Sequence, residues 1–240
     1  FFSFFSFFHT EAHASVFLCY YYRMLELFVS GNSFVSAGLA ATMQSLGYST
    51  CVYKPVQTGA IEKNGFIQSP DLAFVKSVDP CIKTYFTYLF KSNDLPLFAS
   101  QKENNLIDKE AIYKDYKSIE EECIITDGTF GLSTPLAEDF LEQDLVKMVN
   151  LPVLMVVGQS SVNDILANIN QAISANVDIR GVIINNVEKT VPQMIEKYTD
   201  AKILGMISDI DKNIKPDDLI TNILTGVDLE SIFNVKISKL

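Results

Sequence analysis

Histidine is almost absent from this 240-residue chain: only His9 and His13 occur, both within the first 23 residues. A histidine general base or a histidine-built metal site in the main body is thereby excluded, which leaves lysine, carboxylates and backbone dipoles as the available chemistry. Cysteine is sparse as well. Cys19, Cys51, Cys81 and Cys123 are widely separated and form no C-x-x-C pair, a pattern that reads as buried free thiols in a reducing compartment. Positive charge is in deficit: 19 Lys and Arg against 29 Asp and Glu give a net charge of −10 and a pI near 4.7. A nucleic-acid partner is therefore not expected, since its footprint would be a basic patch. Anionic ligands would have to be held locally, by helix N-termini, backbone amides and single lysines.

The first 23 residues are a composition anomaly, with six phenylalanines in eight positions. The segment lacks a basic residue before Arg23 and is interrupted by His9, Glu11 and His13, unlike a secretory signal, and it is too short and broken for a membrane-spanning helix. Met24 reads as the natural start, with residues 1–23 an atypical leader outside the fold; an apolar anchor is the alternative. No other segment could cross a membrane, so no membrane partner and a cytoplasmic body are expected.

From Met24 strand and helix patterns alternate. Strands are expected at Leu25 to Ser30, Thr50 to Lys54, Cys123 to Thr126, Pro152 to Val157, Gly181 to Asn185 and Ile203 to Ile207. Helices are expected at Phe34 to Leu46, closed by Gly47, then at Leu72 to Ser77, Ile107 to Ile119, Ala137 to Met148 and Asp164 to Ala175. The near-continuous apolar run P-V-L-M-V-V suits a strand covered on both faces. Residues 24–240, 48% of the whole chain being hydrophobic, are thus expected to form one α/β domain, a doubly wound, mostly parallel sheet with helices on both faces.

The chemistry-bearing stretch is Y-K-P-V-Q-T-G, Tyr53 to Gly59. A β-rich run precedes it, Pro55 and Gly59 are expected to break regular structure, and Lys54 and Thr58 would be presented at the carboxyl end of a strand, where open α/β sheets bind ligands. A surface lysine in a turn is the bland alternative. Three further motifs follow in order: S-P-D at Ser69 to Asp71, T-D-G-T-F-G-L-S-T-P-L at Thr126 to Leu136, and G-V-I-I-N-N at Gly181 to Asn186. Together these resemble dethiobiotin synthetase in order and spacing from Leu25 to about Ile210. The resemblance implies the P-loop NTPase fold type.

Several positions take roles from that resemblance. Lys54 and Thr58 match the lysine and hydroxyl that contact the carbamate and the transferred phosphate, and Thr58 with Gly131 and Asn163 falls in the substrate site, Asn163 reaching across a homodimer. Asp71 and Asp127, with Ser33, correspond to magnesium ligands. Gly31, Asn32, Ser33, Asp71, Asp127, Gly128, Asn185 and Asn186 fall at the ATP site, Asn185 at the adenine edge. The chain also departs from the pattern. Between the first strand and helix it reads F-V-S-G-N-S-F-V-S, shorter by about six residues than a phosphate-binding loop and without its lysine. Gly31 could be the first or the last loop glycine, and Ser33 and Asn32 would stand for the threonine and the lysine. Asp127 replaces a glutamate, Phe130 a loop glycine, and Asp164 a histidine.

The function implied is ATP- and magnesium-dependent closure of a ureido ring from 7,8-diaminononanoate and CO2, giving dethiobiotin. The alternative is a non-catalytic or decayed member of the same fold. A ParA-like ATPase is disfavoured by the T-D-G and T-P-L pattern.

Overall fold

The computed structural model describes residues 24–158, 160–188, 190–208, 210 and 213–237. The leader with His9, His13 and Cys19, and Gln159 of the Q-S-S-V-N-D stretch, lie outside the described residues.

In chain order the elements are β1 (Leu25–Ser30), α1 (Ser33–Ser45), β2 (Thr50–Gln57), β3 (Ile61–Lys63), β4 (Phe66–Gln68), α2 (Pro70–Val78), β5 (Lys83–Leu89), α3 (Pro96–Lys102), α4 (Lys109–Lys117), β6 (Cys123–Asp127), β7 (Pro135–Ala137), β8 (Phe140–Leu141), α5 (Glu142–Val149), β9 (Val153–Val157), α6 (Val162–Ser174), β10 (Ile179–Asn185), α7 (Val191–Tyr198), β11 (Ile203–Ile207), α8 (Pro216–Gly226) and α9 (Leu229–Phe233). Seven strands form one sheet in the order β11-β10-β9-β1-β6-β2-β5, with every pairing parallel. Two antiparallel hairpins, β3–β4 and β7–β8, stand outside it.

Strand alternation divides the core between two faces. Leu27 and Val29 of β1 face α1, α2, α8 and α9 through Leu39, Leu72, Leu219 and Ile232, whereas Phe28 between them joins Ile112, Leu145, Ile169 and Ile195 from α4 to α7 on the other side. This is the arrangement that an all-parallel sheet requires, because its crossover helices cover both faces. The order reverses at β1, whose neighbours are β6 and β9, and the crevice beyond the carboxyl ends of such strands is where open α/β sheets place ligands.

Several sequence expectations are corrected. β2 does not stop at Lys54 but runs through Pro55 to Gln57. Pairing with β6 ends at Tyr53 while pairing with β5 continues to Gln57, so Pro55 has no ladder bond to β6 to lose. The segment expected as one helix from Ala137 instead contains the β7–β8 hairpin, and α5 begins only at Glu142. Of the expected buried thiols, Cys51 and Cys123 are free and buried, whereas Cys81 is free and exposed. Helices α3, α7, α8 and α9 and the β3–β4 hairpin were not read from the sequence. No helix among the described residues is long and apolar enough to cross a membrane.

Two glycines set the position of α1. Gly31 turns the chain from β1 into α1 at φ +111°, and an added Cβ would sit 2.4 Å from the Val156 carbonyl oxygen at the end of β9. Gly38 lets α8 approach, a Cβ there meeting Leu219 Cδ1 at 2.9 Å and Ile223 Cγ1 at 3.0 Å. Gly31→Ala combines a left-handed backbone with a backbone clash and is expected to cost about 2–3 kcal/mol, measured as a shift in the denaturant midpoint with unchanged slope.

Candidate functional site

The site forms between the body of β2, the end of β6 and the starts of α1 and α2. Strand β2 carries Lys54 on the same sheet face as Val52, and its side chain is only 3% exposed. An ammonium cannot be left bare at that depth. It donates to Asp127 Oδ2 at 2.7 Å and to the Gly128 carbonyl at 2.6 Å, both at the end of β6, and it pairs with Asp71 Oδ2 at 2.8 Å. Burial alone would lower the lysine pKa, but Asp127 and then Asp71 outweigh it and hold the pKa above its usual value, so the ammonium stays charged.

Helix caps explain how the two aspartates come to be there. Ser69 is the N-cap of α2, its Oγ accepting from Leu72 N, and Pro70 opens the helix. Asp71 is therefore not the cap; it projects from the first turn to Lys54 and accepts from Ser33 Oγ at 3.2 Å. Asp127 is buried at 2% exposure, and its second oxygen accepts from Ser36 Oγ in α1 at 2.6 Å. Ser36, which sequence reading passed over, thus completes the cluster; its only signal was a hydroxyl one turn into the helix that follows the shortened turn.

The link from β1 to α1 consists of Gly31 and Asn32 alone. Asn32 is the N-cap, with its Oδ1 accepting from Phe34 N at 3.0 Å and Val35 N at 3.1 Å, and Ser36 N bonds the Asn32 carbonyl. Helix-start amides that could receive an anion are thus occupied by the chain's own carboxamide. The residues present do not fit a triphosphate cradle on this turn. For a divalent ion the donor chemistry is suitable, Ser33, Asp71 and Asp127 being hard oxygen donors, although these oxygens already serve Lys54 and one another.

Beside this cluster opens a cleft of about 680 Å³ at the carboxyl ends of β1, β9 and β10. Gly31, Asn32, Gly131 and Asn185 line it together with Phe130, whereas Lys54, Asp71 and Asp127 do not. Phe130 is 59% exposed and has an ordinary negative φ, so it enters the loop without strain. Asn185 is buried, with its Oδ1 accepting from Ile210 N at 3.4 Å. Asn186, at φ +48°, borders a separate depression with Gly158 and Val187. Thr58 is buried beyond the end of β2, where its carbonyl accepts from Gln57 Nε2, and its hydroxyl does not join the Lys54 cluster. Asn163 is exposed on the first turn of α6, away from both, and Asp164 there pairs with the N-cap Ser161.

Glu142 was also not singled out from the sequence. At the start of α5 it is 2% exposed; Oε1 accepts from Thr129 N at 2.6 Å and Thr129 Oγ1 at 2.8 Å, while Oε2 has no partner among the described residues. Burial pushes its pKa up to about 7 against the Thr129 bonds and Lys54, which lower it. The folded state thus holds the proton more tightly than the unfolded chain. Stability from this group is complete below its unfolded pKa and is lost as pH rises through about 7. Thermal melts from pH 5 to 8 should show the parent chain losing stability relative to Glu142→Gln, which keeps the acceptor but cannot ionise. Asn32→Ala, by removing the α1 cap, should cost about 1 kcal/mol, read from the same melts at fixed pH.

Comparison with known proteins matches residues 29–217 to the family model of the AAA domain AAA_26. ATP-dependent dethiobiotin synthetase BioD of Bacillus subtilis (strain 168) is 26% identical over 215 residues, covering 85% of this chain and 93% of the relative. The enzyme of that name from Clostridium kluyveri is 27% identical over 196 residues, covering 75% and 81% of the two chains. Among solved structures, the MinD cell division protein of Aquifex aeolicus superposes with a TM-score of 0.44 at 13% identity, over 87% of this chain and 94% of that one. With the family match spanning most of its length, the chain belongs to the AAA_26 family of AAA domains.

Proposed function

We propose that this chain is a dethiobiotin synthetase, closing the ureido ring of 7,8-diaminononanoate with CO2 in an ATP- and magnesium-dependent reaction. The observation that carries the reading is the buried Lys54 ammonium within β2, paired with Asp127 and Asp71, next to the turn at Gly31 and Asn32 that lines the cleft. A positive charge of this kind, brought to the ligand, stabilises a carbamate and the negative charge that develops on it as the ring closes, and it need not move a proton to do so. ATP, held elsewhere than on the turn whose amides Asn32 occupies, would supply the phosphoryl group that activates the carbamate; magnesium would be held by Asp71, Ser33 and Asp127 once Lys54 has left their oxygens. Asn185 would meet the base, and Asn163 of a second copy the substrate tail, in a homodimer.

In this reading the chain's own residues have separate tasks. Asp127, held by Ser36, anchors Lys54 in the free protein, and Asp71 is the more accessible carboxylate at 29% side-chain exposure. The Gly128 carbonyl accepts a further hydrogen bond from the ammonium at 2.6 Å. Water is kept from the ammonium by its 3% exposure, which strengthens its field at the reacting group.

A second reading, a family member that keeps the fold without turnover, is supported by one specific observation: Asn32 Oδ1 occupies the Phe34 and Val35 amides at the start of α1. The two are separated by assaying dethiobiotin formation from diaminononanoate, bicarbonate, ATP and magnesium with the purified full chain. Ring closure by the parent chain, falling by about 10²-fold or more in Lys54→Met as expected for loss of one charge-stabilising donor, supports the enzyme. A folded parent chain without product at saturating nucleotide supports the second reading and removes the first.

A further inference from the structure

An ammonium has three N–H donors. Around Lys54 stand three oxygens: Asp127 Oδ2 at 2.7 Å and the Gly128 carbonyl at 2.6 Å, both hydrogen-bonded, and the ion-paired Asp71 Oδ2 at 2.8 Å. The ammonium is thus fully engaged with the chain's own oxygens. The carboxylate oxygens are equally committed, Asp127 Oδ1 to Ser36 Oγ at 2.6 Å and Asp71 Oδ2 additionally to Ser33 Oγ at 3.2 Å. Only Asp71 Oδ1 lacks a bonded partner among the described residues. Three oxygens from β6 and α2 thus converge on one cation, as a metal's ligands would, and the cation is the side chain of β2.

The geometry points to Lys54 as the resident cation of this oxygen cage: its ammonium occupies the place of a divalent ion, so that the free protein is closed to magnesium and manganese until Lys54 withdraws. Two physical facts favour the ammonium over a free ion. Magnesium gives up its hydration water reluctantly and needs oxygens at about 2.0–2.1 Å in near-octahedral array, whereas these oxygens stand at ammonium distance and two of them belong to buried or tightly bonded groups. An ion entering the cage would also leave a buried ammonium without acceptors, a costly state for a charge at that depth. Charge supplies the opposite pull. Two carboxylates and one ammonium leave the cage at −1, so it becomes a strong cation site once the ammonium is gone.

Metal entry and the movement of Lys54 are therefore linked, and by reciprocity whatever draws Lys54 outward raises the affinity for metal. Resting on the ring-closure reading, that agent is an anionic group in the cleft, a carbamate or a phosphate. The cage itself is independent of that reading.

Manganese binding to the full chain, followed by electron paramagnetic resonance without nucleotide, provides the test. The parent chain should bind manganese at least about 10-fold more weakly than Lys54→Met, in which the cage is vacated without a new charge. The Lys54→Met signal should disappear when Asp71→Asn is added. Equal or tighter binding by the parent chain, or binding to Lys54→Met that survives Asp71→Asn, overturns the inference. Should Lys54→Met fail to fold, the parent chain and its Asp71→Asn variant decide: manganese binding that Asp71→Asn abolishes overturns the resident-cation inference, and weak binding unaffected by it supports it. Assay of ring closure on the same samples distinguishes failure of the enzyme reading, which loses product while leaving the manganese pattern intact.

Discussion

The positions of β2, β6, α1 and α2 around one another converge on a single contact, the Lys54 ammonium between Asp127 and Asp71. A buried ion pair is a weak source of net stability, because desolvating three charged groups offsets most of their attraction. Its contribution is to geometry. Each partner comes from a different element, so the body of β2, the end of β6 and the start of α2 are held in one arrangement, and Ser33 and Ser36 extend that arrangement along α1. The apolar packing on both sheet faces would tolerate small shifts of these ends, whereas hydrogen bonds of 2.6 to 2.8 Å do not.

Much of the fold was legible because the strands are buried on both faces and the helices between them are long enough to show their pattern. The apolar runs of β1, β6, β9, β10 and β11 were placed to within two residues. What was missed follows from physical causes. Pro55 looks like a terminator, yet it lies where pairing to β6 has already ended. The β7–β8 hairpin is short, and its Phe140 and Leu141 resemble the start of the helix that follows. The edge strand β5 was not among the expected strands, since one side of it lacks a strand partner and its pattern is mixed.

The site was legible in part. Lys54, Asp71 and Asp127 are brought together from positions separated by most of the first half of the chain, as the motif order suggests. Sequence could not tell that Ser69, not Asp71, caps α2, because both are good caps and only the backbone decides between them. Nor could it show Asn32 as a cap: asparagine following glycine in a shortened loop has the same letters whether it faces a ligand or its own helix. Glu142 escaped notice because a glutamate at a helix start is ordinary on a surface; its unusual state comes from burial beneath Thr129.

The Gly38 contact with α8 bears on how this turn could change over time. Because Leu219 and Ile223 seat against α1 five residues beyond its start, the helix's axial position is fixed by packing and does not depend on the length of the connection leading into it. The stretch at Gly31 and Asn32 is therefore a splice point: residues can be lost or regained there as an outward excursion while strand and helix keep their register. A phosphate loop at this place is a removable module on a scaffold that stands without it.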